Sequence, residues 1–215
     1  TKKDLVLITN VEKNKFYKDA DIILSVGGDG TLLSAAKSAS ITNKPVMGIN
    51  MGHLGFLTAL EIEETELLKC LFLNEFDIDE RMMLECEYHT GDTVYKDYCL
   101  NDVIISRGIY PRMIKSKILI SGSTAEEYTA DGIIVSTPTG STAYALSAGG
   151  PIVSPVLDVM TVTPICPHSL YNRSLVVSGE EEIEIESNES YNPAVFVSCD
   201  GRESIETDGV IKIKK

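Results

Sequence analysis

The segment Gly27-Gly-Asp-Gly-Thr31 puts three glycines and one carboxylate within five positions, directly after the apolar run Ile22–Val26. A strand, a glycine turn and a helix in that order aim backbone N–H groups at one point, which suits a phosphate or a dinucleotide. Asp29 is the one carboxylate in the turn. A carboxylate repels phosphate unless it holds a metal ion or takes a proton, so its presence points to chemistry as well as binding. The simpler alternative is a glycine-rich connection carrying a solvated Asp.

Three further segments carry polar groups in informative places. In Asn50-Met-Gly-His-Leu-Gly-Phe-Leu-Thr58, Gly52 and Gly55 let the backbone approach a ligand, and Phe56 offers an apolar face to a ring. His53 in the same loop serves structure more readily than catalysis. Asn101-Asp102 falls within the β-rich segment Tyr98–Ser106, where adjacent residues point to opposite faces. The pair suits a nucleoside, with the amide reading a base edge and the carboxylate taking ribose hydroxyls; a solvated strand end is the alternative. In Asp131–Tyr144 an apolar strand runs into Thr-Pro-Thr-Gly, and a helix is expected from near Ser141. An N-cap uses one hydroxyl. Thr139 and Thr142 are therefore surplus, and with Tyr144 one turn further on they suit a nucleotide. His168 and Arg173 fit structural or ligand roles equally, and Asp200-Gly-Arg202 reads as a polar turn of little meaning by itself.

These segments need elements to position them. The first third alternates strand and helix: strands at Asp4–Thr9, Asp21–Val26 and Pro45–Asn50, a connection at Glu12–Asp19, and helices at Thr31–Ser38 and Glu61–Phe72. Such alternation predicts a parallel sheet covered by helices, with ligands beyond the C-terminal strand ends. From Asp79 the pattern becomes β. Strands are expected at Met82–His89, Val94–Ser106, Met113–Ser121, Gly132–Ser136, Val159–Pro164, Ser174–Val177, Ile183–Glu186, Ala194–Cys199 and Val210–Lys214. Turns are expected at Gly91-Asp92, Ser121-Gly-Ser123 and Asp208-Gly209. The expected architecture is an α/β domain over residues 1–78 and an antiparallel, sandwich-like β domain over residues 79–215.

Composition sets limits on function. The 215 residues are 43% hydrophobic and 24% charged, as in ordinary globular chains. No apolar stretch approaches the roughly 18 residues of a membrane helix, and the first residues read as no signal peptide. Five scattered cysteines without a CxxC pair predict buried, reduced thiols in a cytoplasmic protein. The net charge of −13 opposes nucleic acid and anionic membranes. A phosphate site therefore needs Mg²⁺ or local cations, with Arg81, Arg107, Arg112, Lys115, Lys117, Arg173 and Arg202 as candidates. The sequence has no P-loop lysine motif, no GxGxxG, no Cys/His zinc cluster and no GxSxG.

Taken in order, GGDGT (Gly27–Thr31), NMGHLGFL (Asn50–Leu57), Asn101-Asp102, DGIIVSTPTGSTAY (Asp131–Tyr144), AGGPI (Ala148–Ile152), TPICPHSL (Thr163–Leu170) and CDGR (Cys199–Arg202) resemble the NAD kinase family. GGDGT alone is shared with diacylglycerol kinase-like and phosphofructokinase-like enzymes; the longer motifs are specific. The resemblance implies phosphoryl transfer from ATP, or from polyphosphate in some members, to the 2′-hydroxyl of the adenosine ribose of NAD, with Mg²⁺. It assigns Asp29 as general base or Mg²⁺-organising carboxylate, and Gly28, Gly30 and Thr31 to the phosphate-donor site. It places Asn101, Thr139 and Ala143 on the adenine with Tyr144 packing beside it, and Asp102 on the ribose. Asp131 would approach the nicotinamide across a subunit interface, so a dimer or tetramer is implied. The second member of the Asn-Asp pair is often Glu in the family. Family chains also usually have a longer stretch between the first strand and GGDGT and run on past the position of Lys215, so either a compact member or further residues outside this sequence are expected. A GGDGT-type lipid kinase and a non-catalytic NAD-binding protein are the rival readings. The first lacks a basic amphipathic helix for the membrane, and the second has no reason to keep Asp29.

Overall fold

The computed structural model describes residues 18–52, 55–168, 173–187 and 194–215. The expected strand Asp4–Thr9, most of Glu12–Asp19, and His53 lie outside them. The chain divides into two compact units, Thr1–Asp79 and Glu80–Lys215.

In the first unit, β1 (Ile23–Val26), β2 (Val46–Asn50) and the short β3 (Leu60–Glu61) form a parallel sheet in that order. Helix α1 (Asp29–Thr42) buries Leu32, Ala35 and Ala39, whose spacing of three and four places them on one face. It starts two residues earlier than Thr31 and ends four later than Ser38. Asp29 in its first turn complements the helix dipole, and Asn43 closes it in the left-handed conformation, donating its N–H to the Ala39 and Ser40 carbonyls. The expected helix over Glu61–Phe72 is split into a 3₁₀ segment, Ile62–Leu68, and a short α2, Lys69–Leu73.

The second unit is antiparallel β throughout. Strands β4 (Leu84–Thr90), β5 (Thr93–Cys99), β7 (Ile114–Ile120), β8 (Ser123–Ala130) and β12 (Ile183–Ser187) belong to one layer. Strands β6 (Asp102–Ser106), β9 (Gly132–Ser136), β10 (Val159–Ile165), β11 (Leu175–Ser178) and β13 (Val195–Cys199) belong to the other. The two layers share β14 (Ile205–Lys214), whose first half pairs with β13 and whose second half pairs with β12. Asp208-Gly209 is therefore not a turn, as the sequence pattern predicts, but an irregularity inside one long strand. The pairing with β4 shifts register between Asp208 and Lys212, and Gly209 has φ +73°. A bulge of this kind bends a strand without ending it.

The core lies between the layers. Ile183, Ile185, Ile211 and Ile213 point inward with Leu84 and Ile118, facing Val103, Ile105, Ile133, Val135, Met160 and Val162. Each fully buried aliphatic side chain contributes about 1.5–3 kcal/mol. Glu184 and Lys212 alternate outward at opposed positions of β12 and β14. Strand β8 escapes the apolar pattern because it is an edge strand, with only its last few residues buried.

Candidate active site

In the first unit, β1 ends against the glycine turn. Gly27 adopts φ +152°, donates its N–H to the Ile49 carbonyl at 3.0 Å, and lies so near Thr31 that an added Cβ would meet its hydroxyl at 2.5 Å. Gly28 and Gly30 differ: a Cβ on either would meet no heavy atom within 4 Å. Their backbone faces open space, and Thr31 is exposed beside them.

Asp29 is the first residue of α1, not a turn residue free in solvent. Its carboxylate accepts the N–H of Phe56 at 3.0 Å and of Leu57 at 3.2 Å. The loop after β2 is thus folded onto the carboxylate, and Gly55 makes this possible, because a Cβ there would lie 2.5 Å from Asp29 Oδ1. Gly55 thus makes room for Asp29, where the sequence suggests room for a ligand. The Phe56 ring is 87% exposed. Asn50 holds the base of the loop by donating from Nδ2 to Glu61 at 2.9 Å and accepting the Gly52 N–H at 3.2 Å.

In the second unit, the expected continuous strand through Tyr98–Ser106 is broken by a corner at Leu100–Asn101, which leaves Asn101 half-buried and Asp102 buried at the start of β6. Burial, and then the Asp200 charge, raise the Asp102 pKa to about 7. Asp102 lies opposite Ser136, the last residue of β9. The chain then passes through Thr137–Thr139 into a 3₁₀ turn, Gly140–Thr142, and helix α3, Tyr144–Ser147. Asn101, Asp102 and the Thr139–Tyr144 segment therefore meet at one end of the β6–β9 pair.

The hydroxyls at this junction divide in a way the sequence does not reveal. Thr137 donates to the Leu100 carbonyl at 2.6 Å and accepts the Gly140 N–H at 3.0 Å. Ser141 donates to the Pro138 carbonyl at 2.6 Å and accepts the Val153 N–H at 3.0 Å. Thr142 donates to the Thr139 carbonyl at 3.3 Å, and the Thr139 hydroxyl accepts from Arg81 at 3.3 Å. Ala143 is half-buried, and Tyr144 is 45% exposed.

Asp131 stands apart. It precedes β9 while Ser136 ends it, and five residues of strand span about 17 Å. Its carboxylate accepts from Arg107 Nε at 2.7 Å. Two other expected cations are also engaged: Lys117 with Glu186, and Arg202 with Asp97 and the Tyr98 carbonyl. His168 is exposed, and its N–H bonds the Thr129 carbonyl; the Arg173 carbonyl accepts from Tyr128. Residues 169–172 between them lie outside the described set.

Asp200 is the residue the sequence undervalues. Its carboxylate accepts three consecutive N–H groups, from Leu100 at 3.0 Å, Asn101 at 2.8 Å and Asp102 at 3.3 Å. Burial raises its pKa, opposed by those N–H donors and by Arg202. All five cysteines are free; Cys86, Cys99 and Cys199 are buried as expected, but Cys166 is exposed and Cys70 only half-buried.

A glycine turn with a helix-borne carboxylate in one unit, and a corner of amide, carboxylate and hydroxyl groups in the other, are each features that fit a nucleotide-dependent phosphotransferase. Comparison with known proteins makes this specific. Family models of the ATP-NAD kinase N-terminal and C-terminal domains match residues 3–75 and 100–215. The chain is 43% identical over 208 residues to the NAD kinase of Caldanaerobacter subterraneus subsp. tengcongensis, covering 94% of this chain and 72% of that one. It is 47% identical over 189 residues to the NAD kinase of Moorella thermoacetica, covering 86% and 60%. A yeast NADH kinase complexed with NADH superposes with a TM-score of 0.82 at 34% identity, over 91% of this chain and 58% of that one. An Archaeoglobus fulgidus NAD kinase in complex with ATP gives 0.80 at 31%, over 96% and 78%. The chain belongs to the NAD kinase family.

Proposed function

We propose that the protein transfers a phosphoryl group from ATP, or from polyphosphate, to the 2′-hydroxyl of the adenosine ribose of NAD, forming NADP. The observation that carries this reading is the placement of Asp29. Its carboxylate heads α1, is fixed by two N–H donors from the loop after β2, and neighbours the open backbone of Gly28 and Gly30. The relatives crystallised with NADH and with ATP support the two ligand classes.

Phosphoryl transfer depends mainly on positioning and on stabilising charge. Gly28 and Gly30 offer N–H groups to the donor phosphates, and Thr31, whose N–H is taken by the Gly28 carbonyl at 3.0 Å, offers its hydroxyl. Asp29, held in one orientation, takes the proton of the attacking hydroxyl or organises the cation. Asn101, Thr139 and Ala143 hold the adenine with Tyr144 beside it, and Asp102 accepts from ribose hydroxyls. Phe56, exposed on the loop that Asp29 anchors, contributes an apolar face, and Thr142, exposed beside Ala143, adds a hydroxyl for the nucleotide.

Among the described residues, no three His, Cys, Asp or Glu side chains are grouped to hold a metal ion. Mg²⁺ commonly takes one or two carboxylates and completes its shell with substrate phosphates and water. Asp29 is the residue that would hold it, and the ion supplies charge neutralisation on the phosphates. A homo-oligomer belongs to the proposal, because Asp131 lies at the far end of β9 from the adenosine residues and would serve the nicotinamide half from a second subunit. The free thiols support a reducing, cytoplasmic setting. Among the described residues no helix is long and apolar enough to cross a membrane.

The test is to incubate the protein with NAD⁺, Mg²⁺ and either ATP or polyphosphate, and to detect NADP⁺ with an NADP-specific dehydrogenase. NADP⁺ formation is expected, and the donor comparison sets donor preference. Absence of product with both donors overturns the reading.

A further inference from the structure

The turn after β13 is more than a chain reversal. Asp200 has φ +51° and is followed by Gly201 at φ +64°, so the chain doubles back and brings the Asp200 carboxylate under the β5–β6 corner. That carboxylate takes the N–H groups of Leu100, Asn101 and Asp102, and the Asp200 N–H donates to the Asp102 carbonyl at 2.9 Å. Arg202 continues the grip one step earlier, donating to the Tyr98 carbonyl at 2.5 Å and to Asp97 at 3.3 Å. On the other side, Thr137 takes the remaining carbonyls, its hydroxyl bonding Leu100 and its N–H bonding Asn101 at 2.9 Å. Every backbone polar group of Leu100–Asp102 thus has a partner, and one side chain supplies three of the six.

We propose that Asp200 is a positioning residue for nucleotide recognition: by fixing the Leu100–Asp102 backbone it sets the direction in which the Asn101 amide and the Asp102 carboxylate meet the adenosine half of NAD. This rests on the reading of Asn101 and Asp102 as adenosine-binding residues. Asp200 acts through this backbone, since both of its carboxylate oxygens are taken up by the three N–H groups. Three consecutive N–H groups sharing one acceptor cannot be served equally by a methyl, and an asparagine offers one oxygen where the carboxylate offers two. Loss of the carboxylate frees the corner, and the cost falls on the ligand whose contacts the corner orients.

The experiment measures steady-state kinetics with each substrate varied, direct NAD binding, and thermal melting, for the wild type, Asp200→Ala, Asp200→Asn and Asp208→Ala. Asp208 is the comparison because it accepts the Gly91 N–H at 3.1 Å in a turn away from the corner. For Asp200→Ala the expected result is at least a tenfold rise in the KM and Kd for NAD, with kcat and the KM for ATP within threefold of wild type. Asp200→Asn should lie between the two, a graded rescue that lost stability alone does not give. If Asp200→Ala does not fold, the same split at threefold or more in Asp200→Asn carries the test. Equal falls in melting temperature for the Asp200 and Asp208 variants, with the KM for NAD unchanged, would overturn the role. A wild-type protein that does not bind NAD would instead remove the reading beneath it.

Discussion

Gly140 lies against the carbonyl of Asn101 so closely that a Cβ on Gly140 would overlap the oxygen. The contact joins the 3₁₀ turn to the β5–β6 corner and involves two backbones, so no side chain can move aside. Gly140→Ala must therefore push the two segments apart. Overpacking of this kind costs about 1–3 kcal/mol. A lowered melting temperature together with at least tenfold weaker NAD binding is expected; unchanged NAD binding would show that the corner tolerates the displacement.

Thr137 is fully buried, and its hydroxyl both donates to Leu100 and accepts from Gly140. Thr137→Val keeps the shape and strands both partners. An unsatisfied buried group costs about 1–3 kcal/mol. Chemical denaturation should register a loss in that range, whereas Thr142→Val, at an exposed residue whose hydroxyl makes one long 3.3 Å bond to the Thr139 carbonyl that water can replace, should change stability by less than about 0.5 kcal/mol.

Asp29→Asn preserves volume and one acceptor oxygen for the Phe56 and Leu57 N–H groups. The variant should fold and bind NAD within threefold of wild type, while kcat falls by about 10²–10⁴, the usual contribution of a positioned acid or base. Turnover within threefold of wild type would remove Asp29 from the chemistry. Gly55→Ala, whose Cβ would press on Asp29 Oδ1 at 2.5 Å, should lower kcat in the same sense by displacing the same carboxylate.

Asp102 carries a pH signature. Its folded pKa is raised to about 7 from an ordinary 3.8, by burial first and the Asp200 charge second. Below pH 3.8 both folded and unfolded forms are protonated, and the group has no effect on stability. Between about 3.8 and 7 the unfolded chain ionises while the folded chain keeps its proton, so stability falls as pH rises, and above 7 the loss is complete. Asp102→Asn should thus be more stable than wild type at pH 8, by more than about 1 kcal/mol, and equal to it near pH 3.5. On the proposed role of Asp102 as ribose ligand, binding follows the ionised fraction, so NAD affinity should rise about fivefold from pH 6 to pH 7 and less than about twofold from pH 7 to pH 8. Isothermal titration at pH 6, 7 and 8 reads this directly; Asp102→Asn should give a flat profile.

The ion pair of Arg107 with Asp131 is partly exposed on both sides. Pairs in that setting contribute about 0–1 kcal/mol. Arg107→Ala should leave thermal melting nearly unchanged, and a loss above about 2 kcal/mol would show a larger structural role than the geometry supports.

Local chemistry made much of this protein legible in one dimension. The alternation of Ile183 and Ile185 with Glu184 and Glu186 determines both the strand and its buried face, because side chains of a strand alternate whatever their neighbours. The glycines of Gly27–Thr31 announce a tight turn after a strand, and the ordered motifs from residue 27 to residue 202 identify the family. Long-range pairing was not legible. Asp208-Gly209 reads as a turn because its dihedral preference is local, yet β13, β12 and β4 continue the strand on both sides of it. Strand β8 has no apolar rhythm because its neighbour β7 supplies the pairing. Gly55 and Gly140 reveal their purpose only against Asp29 and Asn101, 26 and 39 residues away. Asp200 is the sharpest case: an acidic turn residue in sequence, and in space the acceptor for three N–H groups nearly 100 positions earlier in the chain. Sequence determined which groups are present and how each short segment folds. Tertiary structure decided which of them hold the others in place, because a hydrogen bond depends on distance in space and a sequence records only distance along the chain.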